Sequence, residues 1–198
     1  MELDLLSIIY LIVRLSPLLV VSQFTLQSIL NQDSKGVVYL TGLIFTCLFV
    51  VVTGKAISVG DRTEITANDV VCKSMGFGDY PNVSLSQVVL GFTYGYLMYI
   101  IYKFAGDGQP DYSNSNMPTI ILFPILIVSN GIWNLSNSCA SMSVLFLSAG
   151  LGAAGGCLWA FAIQSAGYKH FALFNGISNQ AICSKPSKTR FKCVNGGK

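Results

Sequence analysis

The feature that most constrains this chain is Met142–Ala166, MSVLFLSAGLGAAGGCLWAFAIQSA, an apolar run without a single charge. A helix of roughly 20 apolar residues is enough to cross the hydrocarbon core of a bilayer. Within the run Ser148, Gly152 and Gly156 recur at intervals of four and share one helix face, while Gly150 and Ala154 form a second small stripe. In water each helical glycine costs up to about 1 kcal/mol relative to alanine. In lipid the helix is held by its own hydrogen bonds, and a smooth face lets another backbone come close. The run therefore predicts a membrane span with a helix-packing seam, directed within the chain or toward another copy.

The rest of the sequence fits the same environment. Hydrophobic residues make up 52% and charged residues 11%, against about 25% charged in soluble domains. The start, Met1-Glu2-Leu3-Asp4, is acidic, and no small-residue cleavage pattern follows, so the first apolar run reads as a signal anchor. The expected fold is an all-α membrane protein: a bundle of four to five transmembrane helices over residues 1–166, with a small basic tail over 167–198. The spans are expected at about 5–30, 36–54, 88–105, 120–135 and 142–166, with an extramembrane loop at 55–87.

Leu5–Leu30 carries Arg14, Pro17 and Gln23. A central arginine costs about 2.5–3.5 kcal/mol on insertion scales, so it must snorkel or find a partner on a neighbouring helix, and this segment could instead lie along the interface. Pro17 removes a backbone donor. In the 55–87 loop, Asp61 and Glu64 have capping-box spacing for a short helix. Val88–Ala105 holds Gly91 and Gly95 in small-xxx-small register, and Tyr94, Tyr96, Tyr99 and Tyr102 suggest a face against protein. Ile120–Leu135 contains Pro124 and Asn130, and the brief link Ser136–Ser141 predicts an antiparallel hairpin with the glycine-rich span.

Five spans put the termini on opposite sides. The loop side carries Lys55, Arg62 and Lys73; the tail side carries Lys35, Lys103, Lys169, Lys185, Lys188, Arg190, Lys192 and Lys198. The positive-inside rule then directs the tail to the cytoplasm. The candidate glycosylation sequons, Asn82-Val83-Ser84 and Asn134-Leu135-Ser136, fall on the opposite side, in agreement. Cys72 and Cys139 share that side and could bridge. Cys183 and Cys193 flank Ser184–Lys192, where a β-hairpin over Lys-Pro-Ser-Lys could be closed by a disulfide, although cytoplasmic thiols are normally reduced. Free thiols and a metal site are the alternatives there, the latter short of ligands with His170 the lone histidine.

No span contains an acid, and no metalloprotease motif, phosphate-binding glycine loop or paired carboxylates are present, so no catalytic residues, metal or cofactor are expected. Ser74-Met75-Gly76-Phe77-Gly78-Asp79 is similar to a potassium-channel filter, but Asp69 and Lys73 stand where an apolar pore helix belongs, which favours a glycine turn.

The closing third is more specific. Trp159-Ala-Phe-Ala-Ile163, Gly167-Tyr168, Phe174-Asn175 and the run Ile182-Cys183-Ser184-Lys185-Pro186-Ser187-Lys188 with Phe191-Lys192-Cys193-Val194 resemble a multi-pass membrane protein family of nucleocytoplasmic large DNA viruses. Pro81-Asn82-Val83-Ser84-Leu85 resembles the same family. Family tails often continue Tyr-Lys-Asn-Gly after the second cysteine, where this chain has Val194-Asn195-Gly196-Gly197. The resemblance implies a virion inner-membrane component without catalysis. It also implies a cytoplasmic thiol-oxidase pathway that would permit a Cys183–Cys193 bridge. The expected function is a structural protein anchoring the inner viral membrane to minor capsid or core proteins, with Lys185, Lys188, Arg190 and Lys192 as the partner-binding tail. The expected partners are the bilayer, other virion proteins and a second copy of the chain; the tail's charge is also compatible with anionic lipid or packaged DNA. Alternatives are an ion channel or transporter, suggested by Arg14, Asn130 and Pro124, and a membrane-recruiting assembly factor.

Overall fold

The computed structural model describes residues 5–30, 32, 34–57, 83–106 and 116–166. They form five helices: α1 (Leu5–Leu30), α2 (Lys35–Ile57), α3 (Leu85–Gly106), α4 (Met117–Ser136) and α5 (Met142–Ser165). All five are long and apolar enough to cross a membrane. This is the all-α membrane bundle that hydropathy predicts. The capping-box segment, the filter-like turn, the tail hairpin, Asn82, Cys72, Cys183, Cys193 and Lys185, Lys188, Arg190 and Lys192 lie outside the described residues.

Apolar length sets where the helices run, but polar residues extend their ends. α3 begins at Leu85, so Ser86 and Gln87 belong to its first turn rather than to the loop. α4 opens at Met117 with Pro118 in its first turn, where a missing N–H costs nothing. α1 continues through Pro17 and packs on α2 and α4. Two tight turns close the hairpins. Gln32 and Ser138 take the left-handed conformation there, with φ of 52° and 53°. In the first, Ser28 Oγ accepts the Gly36 N–H at 3.0 Å, covering a donor that the start of α2 leaves open.

α3 is the hub. It is 56% buried over its span, whereas no other helix exceeds 28%. On the tail-side half it meets an aromatic core of Phe24, Tyr39, Phe92, Tyr96 and Phe123, with Leu97 and Ile100. The Tyr39 ring lies 5.2 Å from Phe24 and 5.6 Å from both Phe92 and Tyr96, centroid to centroid. Tyr39 is fully buried; its hydroxyl donates to Thr93 Oγ1 at 2.6 Å, and Thr93 passes its own proton to Val89 O at 2.8 Å. The tyrosines expected on one protein-facing side of α3 divide instead: Tyr96 is in the core, and Tyr102 near the helix end is 80% exposed.

The outer faces suit lipid. Ile44, Phe45, Leu48 and Phe49 on α2 are exposed, as are Ile121, Ile125, Val128 and Ile132 on α4. Hydroxyls on that surface return to their own helix, Thr41 to Val37 O at 2.8 Å and Thr53 to Phe49 O at 2.9 Å, which spares these two donors from facing hydrocarbon unpaired.

Candidate functional site

Two arrangements stand out, a seam of backbone contact between α3 and α5 and a polar cluster beside it. The seam brings together the five small residues singled out in the sequence. A Cβ at Gly91 would collide with Ala149 O, and one at Gly95 with Ala153 O. Reciprocally, a Cβ at Gly152 would collide with Val88 O and one at Gly156 with Phe92 O. Residue numbers rise together on both sides, so α3 and α5 run parallel. Ser148 stands at the loop-side end of the seam, buried, its Oγ accepting the Ser84 N–H at 3.0 Å. Each glycine Cα–H faces a carbonyl of the opposite helix, the weak hydrogen bond that recurs where helices touch closely. The second stripe behaves differently: Gly150 has nothing within 4 Å of its would-be Cβ, and Ala154 is exposed.

Behind α5, α2 packs antiparallel. Gly42 leaves room for the Trp159 indole, whose N–H donates to Val38 O at 3.0 Å. Gly155 sits against Thr46 in the same interface. Of the cysteines within spans, Cys47 and Cys157 are free thiols, and Cys157 Sγ donates to Gly95 O at 3.3 Å. Cys139 lies in the α4–α5 turn on the loop side, half-buried.

The polar cluster occupies the loop-side half of the bundle and centres on Asn130 of α4, which is 2% exposed. Its Oδ1 accepts from Ser86 Oγ at 3.0 Å, from Asn134 Nδ2 at 2.9 Å and from Gln87 Nε2 at 3.5 Å. Its Nδ2 reaches across to Val13 O of α1 at 3.5 Å. That carbonyl is available because Pro17, four residues on, has no N–H to offer it. Ser16 Oγ fills the same gap at 2.7 Å, so the proline is compensated from its own helix and from α4. Gln87 is 1% exposed, and its Nε2 also donates to Ile127 O at 3.0 Å, alongside Gly131.

Arg14, one residue from Val13, lies over the Trp133 ring with its guanidinium carbon 5.1 Å from the centroid. The arginine thus has an aromatic face on a neighbouring helix, a cation–π contact that gains strength out of water. The sequon residue Asn134 is in the last turn of α4, its side-chain nitrogen donated to Asn130 O at 2.8 Å as well as to Asn130 Oδ1. The atom that would carry a glycan is therefore committed inside a helix.

Sequence reasoning found Arg14 and Asn130 but missed Ser86 and Gln87, which it assigned to the loop. The signal was present: Gln87 directly precedes Val88-Val89-Leu90, and a residue at a span edge can be drawn inside by a polar partner. What could not be read is that the partner is Asn130. Among the described residues, no group of three or more His, Cys, Asp or Glu side chains is placed to hold a metal. Comparison with protein-family models, with curated proteins and with solved structures gave no match.

Proposed function

We propose that this chain is a structural multi-pass membrane protein of a large DNA virus, anchoring the inner viral membrane to capsid or core proteins. The observation that carries the reading is the α3–α5 seam, in which four glycines put backbone against backbone and leave no room for a path between the two helices. Two further features support it. The polar side chains of the loop-side half are largely spent on one another, and the tail-side half is filled by Phe24, Tyr39, Phe92 and Tyr96. Such a bundle is suited to holding its ends in place. The viral assignment rests on the resemblance of the closing third.

In this role α5 carries the basic, cysteine-flanked segment 167–198 to one face of the bilayer, the cytoplasmic face during assembly, where Lys185, Lys188, Arg190 and Lys192 meet the partner. A Cys72–Cys139 bridge would tie the loop to the α4–α5 turn on the other face; unlike Cys47 and Cys157, Cys139 is not among the free thiols. Quantitative mass spectrometry of purified particles, before and after detergent stripping, tests the assignment. A structural component is present at a fixed copy number and leaves with the membrane. Absence from intact particles refutes the role, and ion flux through liposomes holding only this chain would move the reading to a channel.

A further inference from the structure

We propose that Gln87 Oε1 binds an internal water molecule, making the Asn130 cluster a hydrated site in the loop-side half of the bundle. Gln87 is 1% exposed, and its Oε1 has no hydrogen-bond partner. The amide cannot be turned round to cure this. Its nitrogen is 3.0 Å from Ile127 O and 3.5 Å from Asn130 Oδ1, so the flipped group would set an acceptor against two acceptors. A buried amide oxygen in a membrane span cannot borrow a donor from bulk solvent, and such groups in native proteins are satisfied by protein or by ordered water.

The chemistry of the surroundings selects water. A lipid or a partner helix cannot reach a group this buried. A metal cation needs several oxygens, about six for the common hard ions, and of the side-chain oxygens nearby Asn130 Oδ1 is already faced by donors from Ser86, Asn134 and Gln87, while Ser86 Oγ spends its proton on it and stands 3.1 Å from Ser84 Oγ. A single donor of small size remains. Gly131 borders the amide: a Cβ there would stand 3.3 Å from Gln87 Nε2, closer than ordinary contact, so the missing side chain keeps the surroundings of the amide open. The water gives one of its protons to Gln87 Oε1. It also keeps a polar environment near Arg14, whose neighbour Val13 is already tied to Asn130.

The test is water-edited solid-state NMR on the full chain, isotope-labelled and reconstituted in lipid, with a parallel experiment edited on acyl-chain protons. Water magnetisation should reach Gln87 Cδ and Gly131 Cα as fast as it reaches the Asn137–Ser141 turn, and several-fold faster than it reaches Gly152 and Gly156 in the dry seam. The variant Gly131→Ala should abolish fast transfer to Gln87, and Gln87→Met should abolish it at Gly131, while transfer to the turn is unchanged. Build-up at Gln87 as slow as in the seam overturns the proposal, as does transfer from acyl chains in place of water. Undiminished transfer to Gln87 in Gly131→Ala overturns the placement beside Gly131.

Discussion

Replacing Gly156 by alanine adds one methyl group at the tightest kind of contact in this protein. The new Cβ would face Phe92 O and lie 2.8 Å from Tyr96 N and 3.0 Å from Phe92 C, all backbone atoms that no rotamer change can move aside. Restoring ordinary contact requires α3 and α5 to separate by about 1 Å, given that Cα–H···O contacts normally have C···O near 3.3–3.6 Å. Such a shift weakens the reciprocal contacts at Gly91, Gly95 and Gly152 together with the one at Gly156. At about 0.5–1 kcal/mol each, four contacts amount to roughly 2–4 kcal/mol. Alanine returns up to about 1 kcal/mol of helix propensity, so the net destabilisation expected is about 1–3 kcal/mol. Gly150→Ala is the matched control, on the same helix with open space around the new methyl, and should be neutral or slightly stabilising. Reversible unfolding of the full chain in mixed micelles, titrated with SDS, measures both. If the two variants unfold at the same SDS fraction, the seam does not hold the bundle and the reasoning fails.

Three other perturbations probe the remaining contacts. Asn130→Leu removes the acceptor shared by Ser86, Gln87 and Asn134 and the link to Val13 O, and should cost about 1–3 kcal/mol in the same titration; interhelical polar bonds in lipid average about 0.6 kcal/mol each, and the groups left unpaired add to that. Tyr39→Phe should lower stability by only about 0.5–1.5 kcal/mol, because Thr93 keeps its bond to Val89 O and no proton is stranded; a loss as large as that of Asn130→Leu would contradict the assigned donor direction. Asn134→Gln should leave the electrophoretic mobility of the protein from glycosylating cells unchanged, since the Asn134 amide is held in α4; a mobility shift matching removal of one glycan would show that the sequon is used.

Much of this architecture is legible from the chain. Five apolar runs fix five helices to within about three residues at most ends, because lipid demands a minimum length and tolerates few charges. Gly91, Gly95, Ser148, Gly152 and Gly156 were recognisable as small-residue faces from their spacing alone. Arg14 marked itself as a charge in need of a partner, and Asn130 as a polar residue inside an apolar run. Each of these readings depends on local composition or on the helical period, which the sequence contains directly.

What faces what was not local information. The short link between α4 and α5 makes α4 one candidate partner for the glycine face and the small residues of α3 make that helix another; the face lies on α3, while α4 is the least buried helix of the five. α5 owns two small stripes, and only tertiary packing decides that Ser148, Gly152 and Gly156 turn inward while Gly150 and Ala154 turn outward. The physical reason is the solvent. In water the apolar side of a helix announces its core; in a bilayer every side is apolar, so orientation is settled by shape and by polar satisfaction. α3 brings glycines that match those of α5, and Gln87 and Asn130 find each other because lipid offers neither of them an alternative. The sequence determined where five apolar helices begin and end; tertiary structure decided that α3, not the glycine-rich helix, is the one around which the others are packed.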